Sequence, residues 1–106
     1  MTLIETKIFT QQITDLMSDS EYRIIQNELL ADPKAGNVIE HSGGLRKIRF
    51  GIKGKSKEKR GGIRMVYFYN EVKARIYLLI SYSKNEKDDL TAKELEILRN
   101  IAKGLK

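Results

Sequence analysis

Two runs of the chain, Ile63 to Tyr69 and Arg75 to Tyr82, are apolar at nearly every position, with only a turn at Asn70, Glu71, Val72 and Lys73 between them. A strand that is apolar on both faces must be covered on both, so the two runs read as central strands of one sheet. Upstream, Leu45 to Ile52 alternates with period two. Leu45, Lys47, Arg49 and Gly51 fall on one side and Arg46, Ile48, Phe50 and Ile52 on the other. Ile48, Phe50 and Ile52 then make the core face, and Lys47 and Arg49 are presented together on the opposite surface. Adjacent cations on one strand face repel each other unless something anionic arrives.

The span that joins these strands has almost nothing to bury. Between Arg46 and Arg64 nine basic side chains meet one acid, Glu58, a balance of +8 in a chain whose total is +6. Everything outside the stretch therefore sums to −2, and the protein is near neutral with one cationic element. Lys53, Lys55, Lys57, Lys59 and Arg60, spaced by glycines, make a loop suited to a polyanion: lysines meet phosphates and glycines let the backbone come close. Arg64 lies where this loop re-enters the sheet.

The remaining segments complete a small α+β domain. Leu3 to Phe9 reads as a strand, and Thr10 to Met17 as a short helix leading into the next. Ser18 to Glu21 has the form of a capping box, with Met17 and Tyr22 as its staple. The helix that follows carries the stripe Tyr22, Ile25, Leu29 and ends at Asp32, before Pro33. Residues Pro33 to Gly44 form a loop, with an extended piece at Asn37 to Glu40. It holds the lone histidine, His41, which reads as an exposed loop residue. Thr91 to Glu94 repeats the capping box, with Leu90 and Leu95 as staple, and Leu95, Leu98, Ile101, Ala102 and Leu105 form the stripe of a C-terminal helix. The expectation is one domain over residues 1–106, with a mostly antiparallel sheet of about four strands, two N-terminal helices and a C-terminal helix.

Composition narrows the chemistry. The 106 residues suffice for one core. Without cysteine there is neither a disulfide framework nor a thiolate metal site, and a reducing cytosol is the natural compartment. No stretch approaches the roughly 20 apolar residues of a membrane span, so no membrane partner is expected. His, Cys and carboxylates show no metal spacing, and the glycines near Lys53 to Gly62 precede a strand, not a helix, so neither a metal nor a small-molecule cofactor is expected. A pI near 9.6 points to an acidic partner.

One reaction needs none of the missing groups: attack of an RNA 2′-hydroxyl on its own neighbouring phosphate. The protein has only to position the bond, move protons and stabilise charge on the phosphate. Arginine suits the phosphate, being permanently charged and bidentate. A lysine surrounded by other cations gives up its proton more readily, so Lys47 or Lys84 is a candidate for the acid/base work done elsewhere by histidine.

The segments GGLRKIRF, KGKSKEKRGGIRMVYFY and YLLISYSKNEKDDL, in this order and spacing, together with EYRIIQNELLADPKAGNVI, resemble the HigB branch of the RelE-like (RelE/ParE) bacterial toxins over nearly the whole chain. The resemblance implies a RelE-like, microbial-ribonuclease-type fold that enters the ribosomal A site and cleaves mRNA during translation. It also implies a HigA-like helix-turn-helix antitoxin as partner. By position it assigns catalytic roles to Lys47, Arg49, Arg64 and Lys84, and leaves Lys53, Lys55, Lys57, Lys59 and Arg60 to contact ribosomal RNA. The chain departs from RelE itself at Asn85 and Thr91, where RelE has an arginine and, a few residues on, a tyrosine. Tyr82 and Glu86 are therefore further acid/base candidates. Two other classes fit the charge: a non-catalytic RNA- or ribosome-binding module, and a protein-interaction subunit with an acidic partner.

Overall fold

The computed structural model describes residues 1–50, 62–87 and 89–106. In chain order these residues form β1 (Thr2–Glu5), α1 (Lys7–Leu16), α2 (Asp19–Ala31), β2 (Asn37–Val38), β3 (Leu45–Phe50), β4 (Ile63–Asn70), β5 (Arg75–Ser83) and α3 (Ala92–Gly104). The strands make one sheet in the order β1-β5-β4-β3-β2, antiparallel throughout except that β1 runs parallel to β5. The two runs apolar on both faces, β4 and β5, lie side by side in its interior. The described strands number five, one more than expected, because the extended piece at Asn37 pairs with Lys47 and Val38 with Arg46.

Helices cover the sheet on both sides. On one face Phe9, Ile13, Ile25 and Leu29 from α1 and α2 pack with Met65, Tyr67, Ile76 and Leu78. On the other, Leu98 and Ala102 of α3 pack with Leu45, Val66, Phe68, Tyr77 and Leu79. Both capping boxes are formed, at Ser18 with Glu21 and at Thr91 with Glu94. Each satisfies two backbone N–H groups that the first helical turn leaves without partners.

Two local expectations fail for identifiable reasons. The first strand ends at Glu5, not Phe9, because the Thr6 hydroxyl accepts a hydrogen bond from the Phe9 N–H at 3.0 Å and starts α1 there. Ile101 is 43% exposed, and the buried line of α3 is Leu98 and Ala102 with Leu95 and Leu105 at its margins. Ile101 is three residues on from Leu98, and that step turns it off the contact line.

The turn into β3 needs unusual backbone. Gly43 and Gly44 adopt φ of 76° and 103°, a region that side chains disfavour. Ser42, buried beneath, takes the Leu45 N–H on its hydroxyl at 3.0 Å. At Gly36 the requirement is proximity: a Cβ there would lie 2.9 Å from the Tyr67 ring and 3.0 Å from the Lys47 carbonyl oxygen. The Gly36 N–H instead donates to the Tyr67 hydroxyl, which donates to the Pro33 carbonyl. Arg46, on the same side as Ile48 and Phe50, donates to the Gly36 carbonyl at 2.7 Å. One of the cations counted in the basic stretch is thus a brace for the β2 loop.

Candidate functional site

β5 contains an irregularity that decides where its last residues point. Register runs Tyr67 with Leu78 but Val66 with Ile80, so Leu79 is an extra residue on β5. Strict alternation from Ile76 and Leu78 would send Ile80 and Tyr82 to the α1/α2 face. After the bulge both pack on the α3 face. Two bonds, from the N-cap and the middle of α1, meet the backbone here: Thr6 Oγ1 donates to the Leu79 carbonyl at 2.8 Å, and the Ser81 N–H donates to Gln12 Oε1 at 2.7 Å.

The consequence is a row of three functional side chains across three strands. Arg49 pairs with Arg64 and Arg64 with Tyr82, all on the α3 face, and Lys47 occupies the adjacent row opposite Val66. Helix α3 covers the other half of this face: its C-terminal end is tied down by a bond from Asn70 Nδ2 to the Leu105 carbonyl, at the far end of β4. Arg64 is only 4% exposed and Tyr82 1%, whereas Arg49 is exposed and Lys47 half-buried. The row therefore grades from a covered guanidinium and phenol to an open guanidinium.

Two side chains of the segment between β5 and α3 lie over the row. Lys47 Nζ donates to Asp89 Oδ1 at 3.0 Å, and the Leu90 N–H donates to the same carboxylate at 2.8 Å. These bonds, with Arg49 further off, hold the Asp89 carboxyl below the usual carboxylate range. Lys87 places its ammonium 5.3 Å from the Tyr82 ring centroid and pairs with Glu94, whose carboxyl is lowered first by that bond and then by the Thr91 N–H. The Tyr82 hydroxyl is buried without a hydrogen-bond partner among the described residues. Burial raises its pKa, Asp89 adds to the rise, and Arg64 opposes it. Lys47 is thus not surrounded by cations alone, as the sequence suggested; its nearest charged neighbour is a carboxylate.

Lys84 and Glu86 lie in the exposed turn after β5. The Lys84 N–H donates to the Gly62 carbonyl at 3.2 Å, which keeps this turn at the entry to β4, the same end of the sheet as the row. The Glu86 carboxylate faces back onto the Ser83 N–H at 3.5 Å. His41 precedes the opposite end of β3, its carbonyl taking a bond from Arg99, away from the row. Lys53, Lys55, Lys57, Lys59 and Arg60 lie outside the described residues. Asp89 and Lys87 escaped the sequence reading because nothing in their acidic and basic neighbourhood distinguishes them from an ordinary polar loop. Among the described residues no cluster of His, Cys, Asp or Glu has the form of a metal site, and no helix is long and apolar enough to cross a membrane.

A sheet of this order, with two helices on one face and one on the other, is the α+β fold of RelE toxins. The RelE toxin of Escherichia coli superposes with a TM-score of 0.58 at 16% identity over 94% of this chain and 97% of that one. A free double arginine-to-alanine variant of that toxin gives 0.58 at 16% over 82% and 86%. The RelBE toxin-antitoxin complex gives 0.55 at 16% over 77% and 94%. The family described as the RelE toxin of the RelE / RelB toxin-antitoxin system matches residues 6–106, and the chain belongs to that family of toxins.

Proposed function

We propose that this chain is a HigB-type toxin acting as a ribosome-dependent endoribonuclease, which cuts translated mRNA in the A site by attack of a 2′-hydroxyl on the adjacent phosphate. The observation that carries the reading is the row of Arg49, Arg64 and Tyr82 beside Lys47 at one end of the α3 face, buried at Tyr82 and Arg64 and open at Arg49. Arg64, covered and held on a central strand, stabilises charge growing on the phosphate, and Arg49 steers the backbone from the open side. Lys47 and Lys84 supply further positive charge and proton transfer. Tyr82, kept protonated by burial, suits hydrogen-bond donation to a phosphate or leaving oxygen and not removal of the 2′ proton. Glu86, exposed beside the site, is the carboxylate candidate for that removal. A site without a strong base gains most when its substrate is already held in near-attack geometry, which is why the ribosome is part of the reaction. The cationic loop of Lys53, Lys55, Lys57, Lys59 and Arg60 docks on ribosomal RNA. A HigA-like antitoxin blocks the toxin, and both act in the cytoplasm.

The test is induction in bacteria with primer extension on one translated message. Wild type yields new 5′ ends confined to the translated region. Arg64→Ala slows cleavage by about 100-fold or more and abolishes growth arrest in a protein that still folds, shown by a cooperative melting transition. A well-expressed, fully toxic Arg64→Ala removes Arg64 from the site. Growth arrest with intact transcripts turns the reading to a non-catalytic ribosome-binding module.

A further inference from the structure

We infer that Asp89 is an internal stand-in for a substrate phosphate, a carboxylate that any incoming phosphodiester must displace from Lys47. The inference rests on the reading of this face as an RNA-binding site. Its grounds are geometric: Asp89 reaches Lys47 Nζ at 3.0 Å from 42 residues along the chain, and its side chain is 66% exposed while that of Lys47 is 21%. A partly covered ammonium is thus occupied by an exposed, displaceable anion. The carboxylate also acts on the rest of the row, since Arg49 stabilises its charge and Tyr82 responds to it.

The consequence is a threshold. Free RNA gains little at Lys47, because the new ion pair replaces an existing one and the released carboxylate attracts a cation from solution. RNA held at high effective concentration, as on a larger assembly, overcomes that competition. Asp89 is therefore a specificity-determining residue and touches no reacting atom. The Leu90 N–H already uses one lone pair of the carboxylate, and an asparagine or serine at this position keeps an acceptor for it.

The experiment measures binding of a fluorescent single-stranded 2′-O-methyl oligoribonucleotide, which cannot be cleaved, to the full chain across a salt series. Wild type, Asp89→Asn, Lys47→Gln and the double variant are compared, with Asp89→Ser as a second replacement and a melting curve for each. Asp89→Asn is expected to bind about two- to fivefold tighter, the range of an exposed ion pair. Its salt dependence is expected to steepen by about 0.7 in log–log slope, one further phosphate neutralised. Both gains disappear in the Lys47→Gln background. An equal gain there means that Asp89 acts only through net charge, and no gain or weaker binding in Asp89→Asn and Asp89→Ser means that it is no competitor; either result overturns the inference. If Lys47→Gln leaves binding unchanged in both the wild-type and the Asp89→Asn backgrounds, the site reading fails. If Lys47→Gln weakens binding while Asp89→Asn gains nothing, only the role given to Asp89 falls.

Discussion

The two faces of the sheet are built from the same strands and end differently. On the α1/α2 face the apolar residues of β4 and β5 are covered by two helices, and the polar groups close among themselves: Tyr22 donates to Glu5, Tyr67 to Pro33, and Ser81 to Gln12. On the α3 face a single helix makes one buried cluster with Leu45, Phe68, Tyr77 and Tyr82, and the row ends at the exposed Arg49, with Lys47 beside a short polar segment. There the Tyr82 hydroxyl is buried without a hydrogen-bond partner among the described residues, and Lys47 is held by an exposed carboxylate. The first face is where burial stabilises the domain. The second is where the fold tolerates one buried hydroxyl unpartnered among the described residues and like charges side by side, as sites that await a ligand do.

The widest separation between the faces is expected from truncating their cores and sites in parallel. Phe9→Ala, which empties a fully buried position on the inner side of α1, is expected to lower stability by about 3–5 kcal/mol, measured by denaturant unfolding. Against it stands Arg64→Ala, which is expected to abolish activity in a protein that still folds. Phe9→Ala that unfolds no more easily than wild type would dissolve the distinction.

A sharper probe crosses from one face to the other. Gln12 lies on the α1/α2 side, yet its side chain holds the N–H of Ser81, the residue before Tyr82. Gln12→Ala leaves that N–H unpaired and is expected to lose about 1–3 kcal/mol of stability. It is also expected to reduce mRNA cleavage, although residue 12 is remote from any substrate, and unchanged cleavage would show that the bulge holds its shape without this bond.

Alkaline pH reaches the closed face through Tyr22, as it reaches the α3 face through Tyr82. Burial, helped by the Glu5 carboxylate, holds the Tyr22 phenol well above its ordinary range. An unfolded phenol ionises near pH ~10 while the folded one keeps its proton, so the unfolded state is favoured first. The stability is intact below that pH and lost as pH rises toward the folded value. Tyr22→Phe is expected to flatten this alkaline loss, followed by phenolate absorbance alongside unfolding. The smallest effect belongs to Ile101→Ser on the outer side of α3, expected to change stability by less than about 0.5 kcal/mol.

Much of this was legible from side-chain periodicity. The alternation of Leu45 to Ile52, of which Gly51 and Ile52 lie outside the described residues, puts Lys47 and Arg49 on one surface and Ile48 and Phe50 against the core, and both capping boxes fix helix starts to the residue. The apolar runs identified β4 and β5 as interior strands. What stayed hidden was non-local or without a residue signature. The bulge at Leu79 has no glycine to announce it, and its supports, Thr6 and Gln12, come from the far end of the chain. Asp89 meets Lys47 only because the segment after β5 folds back across β3. The end of β1 was misread because Ile8 and Phe9 look like strand residues, and the cap at Thr6 outweighs their preference.

A sheet counts in twos, so one surplus residue is to a strand what a frameshift is to a message: every position downstream changes its reading side. Leu79 supplies that shift here, and without it Tyr82 would be a second-rank core aromatic beneath α1, not a neighbour of Arg64. Such a site can be gained or lost by adding or deleting a single residue, with every other letter of the strand unchanged.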